Sequence, residues 1–223
     1  MDQGLPIPRI WTWHADGMEF REVVRRRRMV RNYDSARPVP PEIRERILEH
    51  ALRAPSAGFS QGWGFLALEE PADRDRFWAA ATPETDVWQQ WLTNMRTAPL
   101  IIVPHSNRDA YIDRYAEPDK GWTDKDETRW PVPYWHIDTG FASLLMLLTA
   151  VDEGLGACFF GIPPERIPTF KAEFGVPQEF TPIGAIAVGY RAPDHRSGSL
   201  KRGRKPVAEV VHRGQWRAQE AQA

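Results

Sequence analysis

The run from Tyr134 to Leu155, YWHIDTGFASLLMLLTAVDEGL, constrains this chain more than any other stretch. Its apolar residues recur at helical spacing, and Gly154-Leu155-Gly156 then stops it. Ala157 to Gly161 (ACFFG) follows at once as a short buried strand. A long central helix handing directly to an internal strand points to an α+β domain with a mostly internal sheet. The most apolar part of the helix, Phe141 to Val151, is too short to span a bilayer.

The remaining elements are consistent with that plan. At 223 residues the chain can bury one generous core, so one domain with extensions is expected. Residues 1–15 form an N-terminal arm, 16–190 the domain and 191–223 a C-terminal arm. Asp16-Gly17-Met18-Glu19 resembles a capping box, opening a helix whose apolar face is Phe20, Val23 and Val24. Pro38 to Pro41 starts a second helix with Ile43, Ile47, Leu48, Ala51 and Leu52 on one face. Pro55 to Gly62 is a loop of small residues; such loops let a ligand approach the backbone, and equally serve as plain turns. Trp63 to Leu68, Pro99 to Pro104 and Pro182 to Tyr190 read as strands. Glu84 to Met95 reads as a helix with Val87, Trp88, Trp91, Leu92 and Met95 at helical spacing. His105 to Pro133 is charged, aromatic and irregular, either a pocket wall or a surface excursion. Pro163 to Phe174 reads as a helix interrupted by Pro168. Val207, Val210 and Val211 mark a weak extended segment.

Five arginines crowd into the seven positions from Arg25 to Arg31 of a chain that is not basic, with Lys+Arg 29 against Asp+Glu 30. That density repels itself unless an anion answers it, and a phosphate is the first candidate. Part of the run also suits a helix C-terminus, where cations complement the macrodipole. A net charge of -1 supplies no global field toward nucleic acid or an anionic membrane, and neither a zinc finger nor an RNP signature is present.

No metal site is legible: the six histidines are scattered, the single cysteine, Cys158, has no CxxC partner, and His136 and Asp138 lack ligand spacing. GxSxG, GxGxxG and GxxxxGK[ST] are missing, which argues against a serine hydrolase, a Rossmann dehydrogenase and a P-loop nucleotidase. The lone cysteine and an N-terminus without a secretory pattern point to a cytoplasmic protein.

Four stretches together resemble the nitroreductase superfamily of FMN enzymes. They are Arg27-Arg28-Met29-Val30-Arg31, the loop Ala54 to Trp63, Gly154-Leu155-Gly156 with its following strand, and Arg202-Gly203-Arg204-Lys205-Pro206. The resemblance runs from about Met18 to Trp216. It implies a three-layer fold with a central mixed sheet flanked by helices, a domain-exchanged C-terminal arm, and a homodimer with FMN at the interface. By position, Arg27, Arg28, Met29 and Arg31 match the first flavin-binding cluster, and Arg202 and Arg204 the C-terminal phosphate contacts. Pro55, Ser56, Ala57 and Phe59 match the loop that the partner chain offers to the flavin. Phe160, Gly161 and Ile162 match the strand end behind the isoalloxazine, with the Gly161 N–H facing flavin N5.

The implied activity is hydride transfer from NAD(P)H through FMN to an electron-poor acceptor, such as a nitroaromatic or quinone. Trp88, Trp91, Tyr115 and Trp130 are candidates for the substrate wall, since flat acceptors stack on aromatics; dimer or lid packing is their other reading. Three positions depart from the family pattern. Met29 stands where serine is common, Phe59 where asparagine is common, and Gly62 where proline is usual. The Pro-Ser-small-Gly-Phe loop resembles the dimethylbenzimidazole synthase branch, which keeps a flavin-cleaving activity open beside a reductive dehalogenase and a non-catalytic flavin-binding protein.

Overall fold

A computed structural model describes residues 17–83, 89–194 and 197–216 of the chain. Strand β1 (Trp63–Leu68) pairs antiparallel with β2 (Leu100–Asn107), from Trp63↔Ser106 to Leu68↔Ile101. Three shorter strands follow: β3 (Gly156–Phe160), β4 (Phe180–Pro182) and β5 (Ala185–Gly189). On its other edge β2 has two successive partners, β5 at Leu100 to Ile102 and β4 at His105 to Asn107. With β3 beyond β5, the order is β1-β2-β5-β3.

The sequence places the end of this second strand at Pro104, yet β2 continues to Asn107. In a strand, the N–H and C=O of one residue point to the same side. The Pro104 carbonyl accepts from Ile183 N at 3.0 Å, so the N–H that proline lacks faces the gap between β5 and β4. No ladder bond is lost there. The four ladders are all antiparallel, so the expected mixed sheet is mixed only through one isolated parallel bridge, Met29↔Ala157.

Side-chain alternation along these strands builds two cores. Ile101, Val103, Cys158, Ala185 and Ala187 face one; Leu100, Ile102, Ala157, Ile186 and Val188 face the other. Helices α1 (Phe20–Arg26) and α2 (Pro41–Ala51) precede β1, α3 (Pro71–Ala81) and α4 (Gln89–Met95) separate it from β2, and α5 (Arg108–Ala116) and α6 (Tyr134–Asp152) precede β3. Ile47 and Ala51 of α2 join Ala142, Met146 and Ala150 of α6 on one face. Phe77 and Trp78 of α3, with Phe170 of α7 (Ile167–Phe174), fill the other. Helix α6 ends in a Schellman motif: Leu155 N donates to the Ala150 carbonyl at 2.7 Å and Gly154 N to that of Val151 at 3.0 Å, with Gly154 left-handed at φ 73.

Several expectations are corrected. Of the proposed face of the first helix only Val23 is buried; Phe20 and Val24 are exposed, and Glu19 takes the N-cap position without a side-chain bond. Leu52 lies past the end of α2 and is exposed. Pro168 sits in the first turn of α7, where no intrahelical N–H is required, so it starts that helix rather than interrupting it. The irregular segment after His105 contains α5, and Pro182 ends β4 instead of opening the last strand. Residues 1–15 and Asp16, Trp88 and the first part of the expected Glu84–Met95 helix lie outside the described residues.

The chain divides into two compact units, Met1–Pro193 and Asp194–Ala223. In the second, a 3-10 turn at Gly198–Arg202 precedes α8 (Val207–Val210), a short helix where an extended segment was expected.

Candidate functional site

Helix α1 stops at Arg26, and Arg27 leaves it with φ −58 and ψ 121. The arginine run is therefore two structures. Arg25 Nε and Nη2 donate to Glu22 at 2.7 and 2.6 Å, and Arg26 Nε donates to the same carboxylate. Arg25 first, then Arg26, holds the Glu22 carboxyl down to about 2. From Arg27 the chain runs extended beside β3. Val30 N donates to the Ala157 carbonyl at 3.0 Å, and Tyr33 forms an antiparallel bridge with Arg191. Val30 and Tyr33 are buried, and the Tyr33 hydroxyl donates to the Val30 carbonyl at 2.6 Å. Gly156 makes the approach possible, because a Cβ there would lie 2.8 Å from Val30 Cγ2 and 2.9 Å from Arg191 Cγ. Thus the arginine segment and the Gly-Leu-Gly motif are one packing unit.

Arg27 and Arg31 are half-buried and Arg28 is exposed. Arg31 Nη1 donates to the Met29 carbonyl at 3.3 Å, while Met29 packs against both cores. Among the described residues no carboxylate pairs with Arg27 or Arg28. Arg191, which sequence reasoning missed, joins this cluster. Its guanidinium donates to the Leu155 carbonyl at 3.3 and 3.1 Å, and burial first, then the charges of Arg28 and Arg26, disfavour its protonated form. The only sequence signal was an arginine placed just past the last strand.

At the end of β3, Phe160 stacks on Trp78 with centroids 5.5 Å apart and meets Trp91 edge-on at 5.5 Å. Ile162 is buried, whereas Gly161 between them is exposed, with nothing within 4 Å of where a Cβ would stand. Among the described residues the Gly161 N–H has no recorded acceptor.

The loop Pro55 to Gly62 is held from beneath. Ala57 to Phe59 form a 3-10 turn, and Gly58, Phe59 and Gln61 are all left-handed, at φ 61, 57 and 49. For Phe59 this backbone costs about 1–2 kcal/mol, a cost asparagine largely escapes. The residue is 75% exposed. Ala57 N donates to Asp138 Oδ2 at 2.8 Å, Arg114 Nε to the Gly58 carbonyl at 2.9 Å, and Asn107 N to the Gly62 carbonyl at 2.8 Å. A Cβ on Gly62 would meet Tyr111 Cε2 at 2.6 Å, and one on Gly58 would meet Tyr115 Cε2 at 2.6 Å. Glycine instead of proline at position 62 is what the Tyr111 ring requires.

The expected substrate aromatics separate. Tyr115 and Trp130 belong to one cluster with Trp122, at centroid separations of 4.6 to 5.6 Å, packed beneath the loop. Trp91 belongs to the core around Phe160. Arg202 and Arg204 lie in the second unit, both exposed, on either side of Gly203. A cavity of about 640 Å³ lined by Ser106, Arg108, Trp135, His136 and neighbours touches none of the expected site residues. No group of three or more potential metal ligands occurs among the described residues, and no described helix is long and apolar enough to cross a membrane.

Comparison with known proteins agrees with this fold. The family model described as "Nitroreductase family" matches residues 24–190. A protein from Methanothermobacter thermautotrophicus called "Putative NADH dehydrogenase/NAD(P)H nitroreductase" is 28% identical over 187 residues, 81% of this chain and 84% of that one. An NADH dehydrogenase from Thermus thermophilus is 28% identical over 196 residues, 77% of this chain and 88% of that one. Among solved structures, a "putative nitroreductase in complex with FMN" from Exiguobacterium sibiricum shares the fold, with TM-score 0.67 at 20% identity, covering 90% of this chain and 98% of that one. The chain belongs to the nitroreductase family, a family of flavin-dependent oxidoreductases.

Proposed function

We propose that this protein is an FMN-dependent NAD(P)H oxidoreductase, working as a homodimer on a flat, electron-poor acceptor such as a nitroaromatic or quinone. One observation carries the reading: Arg27 and Arg28 have no carboxylate partner among the described residues, and Arg28 stands close enough to Arg191 to disfavour its charge. A cluster of guanidinium groups without acids suits a phosphate dianion, so the donor set fits FMN.

In this reading Arg27 and Arg28 are phosphate ligands, and Arg202 and Arg204 are proposed as phosphate ligands from the resemblance alone. Arg31 places positive charge beside the pyrimidine edge, and Met29 packs without adding a polar contact. Pro55, Ser56 and Ala57, with Phe59 beyond them, form the loop offered across the dimer. The exposed N–H of Gly161 donates toward N5, with Phe160 and Ile162 fixing the backbone on either side of it. When bound, FMN supplies the two-electron chemistry, accepting hydride at N5 and passing it on. No side-chain acid or base is assigned, and the protein's part is to bind, orient and exclude water. NAD(P)H as the donor follows from what the two relatives above are called.

A homodimer is supported by Tyr134, Ile137, Phe141 and Leu144 on α6. They recur at helical spacing with 37 to 46% of their surface exposed. A two-fold axis would pair such a stripe with its own copy.

The purified full-length protein should carry or take up one FMN per chain, with visible absorbance and NAD(P)H oxidation in the presence of nitro or quinone acceptors. Replacing Arg28 and Arg204 together by alanine should weaken FMN binding at least about 100-fold, two charge-assisted contacts being lost. A colourless protein that refuses FMN would sink the proposal. Bound FMN without turnover on any acceptor would leave only a flavin-binding role.

A further inference from the structure

Asp138 is 3% exposed, and the reading of the flavin site gives it no part. It lies on α6, yet its contacts are to two other elements. Its Oδ2 accepts from Ala57 N of the small-residue loop at 2.8 Å and from the Tyr111 hydroxyl of α5 at 2.9 Å. Tyr111 is itself fully buried, and its ring fills the space left by Gly62 at the other end of the same loop. One carboxylate oxygen therefore ties the first residue of the 3-10 turn to a ring wedged under the last residue of the loop. Between those points, Arg114 Nε holds the Gly58 carbonyl at 2.9 Å and the Tyr115 ring sits against Gly58. Ser56 Oγ accepts from Gln61 N at 3.1 Å and closes the loop on itself.

A burial this deep needs compensation, since a carboxylate removed from water is costly unless charge-assisted bonds replace its hydration. Asp138 has two such donors, and both belong to the loop or its brace. A polar residue with no other role visible in this structure would more simply be apolar, as its α6 neighbours Ala142 and Met146 are.

We propose that Asp138 is a positioning residue for the flavin-contacting loop. By accepting from Ala57 N and the Tyr111 hydroxyl, it fixes the left-handed turn at Gly58 and Phe59 in the shape presented to FMN. This inference rests on the flavin reading of the loop. It extends that reading from the residues that touch the cofactor to the buried residue that sets their geometry.

The test uses the full-length protein as Asp138→Ala, Asp138→Asn and Tyr111→Phe. In flavin-free protein, amide hydrogen exchange of residues 57–62 is compared with that of Ala185–Gly189 in β5, which reports opening of the sheet. Asp138→Ala should raise loop exchange at least about tenfold while β5 stays protected, and weaken FMN binding by about tenfold or more. Asparagine with its Oδ1 in the place of that carboxylate oxygen still accepts from both Ala57 N and the Tyr111 hydroxyl, so Asp138→Asn should stay within about threefold of the parent. Tyr111→Phe, which keeps the carboxylate and removes one donor, should fall between the two and provides the measurement if Asp138→Ala does not fold. Loop exchange and FMN affinity unchanged in Asp138→Ala, or in Tyr111→Phe where that variant stands in, would overturn the proposal. So would an Asp138→Asn variant as impaired as alanine. Failure of the parent protein to bind FMN would instead defeat the flavin reading, while the exchange measurement still decides whether Asp138 holds the loop.

Discussion

Acidification should destabilise this protein, in large part through His105. His105 lies on β2 and is 4% exposed, its ring stacked at 5.9 Å on Phe170 of α7. Its Nε2 is buried without a hydrogen-bond partner among the described residues. Burial is the main reason its pKa falls from 6.5 to about 4; backbone contacts with Val103 and Gly64 oppose the fall, and the charge of Lys171 adds to it. The folded state thus binds the proton more weakly than the unfolded chain. Stability from this group is fully present above the unfolded value of 6.5 and is lost as the pH falls toward 4. The full loss is about 3 kcal/mol, and about 2 kcal/mol of it is gone by roughly pH 5.

That loss is a large fraction of the roughly 5–15 kcal/mol by which a domain is stable. Urea unfolding of the flavin-free protein at fixed concentration, at pH 7.5 and pH 5, would show it as a lower midpoint at the acid value. His105→Phe keeps a planar ring against Phe170 and carries no titrating nitrogen. Its stability should change less between the two pH values than the parent's, by about 2 kcal/mol. Equal pH dependence in parent and variant would refute the account, as would a folded-state His105 titration near pH 6.5 measured by NMR.

Gly62→Ala places a Cβ 2.6 Å from the Tyr111 ring and 2.7 Å from the Asn107 carbonyl oxygen, and should cost about 1–3 kcal/mol in urea unfolding. The penalty should shrink in a Tyr111→Leu background, and strict additivity in that double-mutant cycle would mean the ring is not the obstacle. Phe59→Asn should stabilise the chain by up to about 1 kcal/mol, because asparagine tolerates the left-handed backbone and the exposed ring contributes little burial. A lower urea midpoint for that variant would show that the Phe59 ring packs against something.

The strands and the central helix were legible because their burial is periodic. Trp63–Leu68 was read to the residue, and α6 differs from the reading only at its last turn, where the Schellman motif takes over. Helix α3 was not seen. Its buried residues Phe77, Trp78, Ala80 and Ala81 all fall in its second half, leaving Pro71 to Arg76 without an apolar stripe. Helix α5 was missed because Tyr111 is its only buried side chain, although Asn107, whose side chain accepts from Ala110 N at 3.1 Å, was a readable N-cap. In the site, the split of the arginine run was anticipated, but its cause was not. Glu22 neutralises Arg25 and Arg26, and the helix ends before Arg27. For Asp138 the sequence shows only that it lacks metal-ligand spacing with His136; its two partners, 27 and 81 positions away, cannot be found by spacing.

The departures of the loop from its relatives make sense as a set once α5 is included. Without its usual proline, the loop loses a stiff anchor ahead of β1, and the Tyr111 ring occupies the vacated side of Gly62. Without its usual asparagine, it loses a residue suited to the left-handed turn, and Arg114 and Tyr115 hold Gly58, the first residue of that turn. Both compensations come from one nine-residue helix, whose Tyr115 packs in turn on Trp122 and Trp130. The aromatic residues between His105 and Pro133 are therefore explained by support before they are explained by substrate. Of these aromatics it is Tyr115 that meets the loop, at Gly58, while Phe59 stands exposed on that loop with a left-handed backbone that only a fixed neighbour can hold.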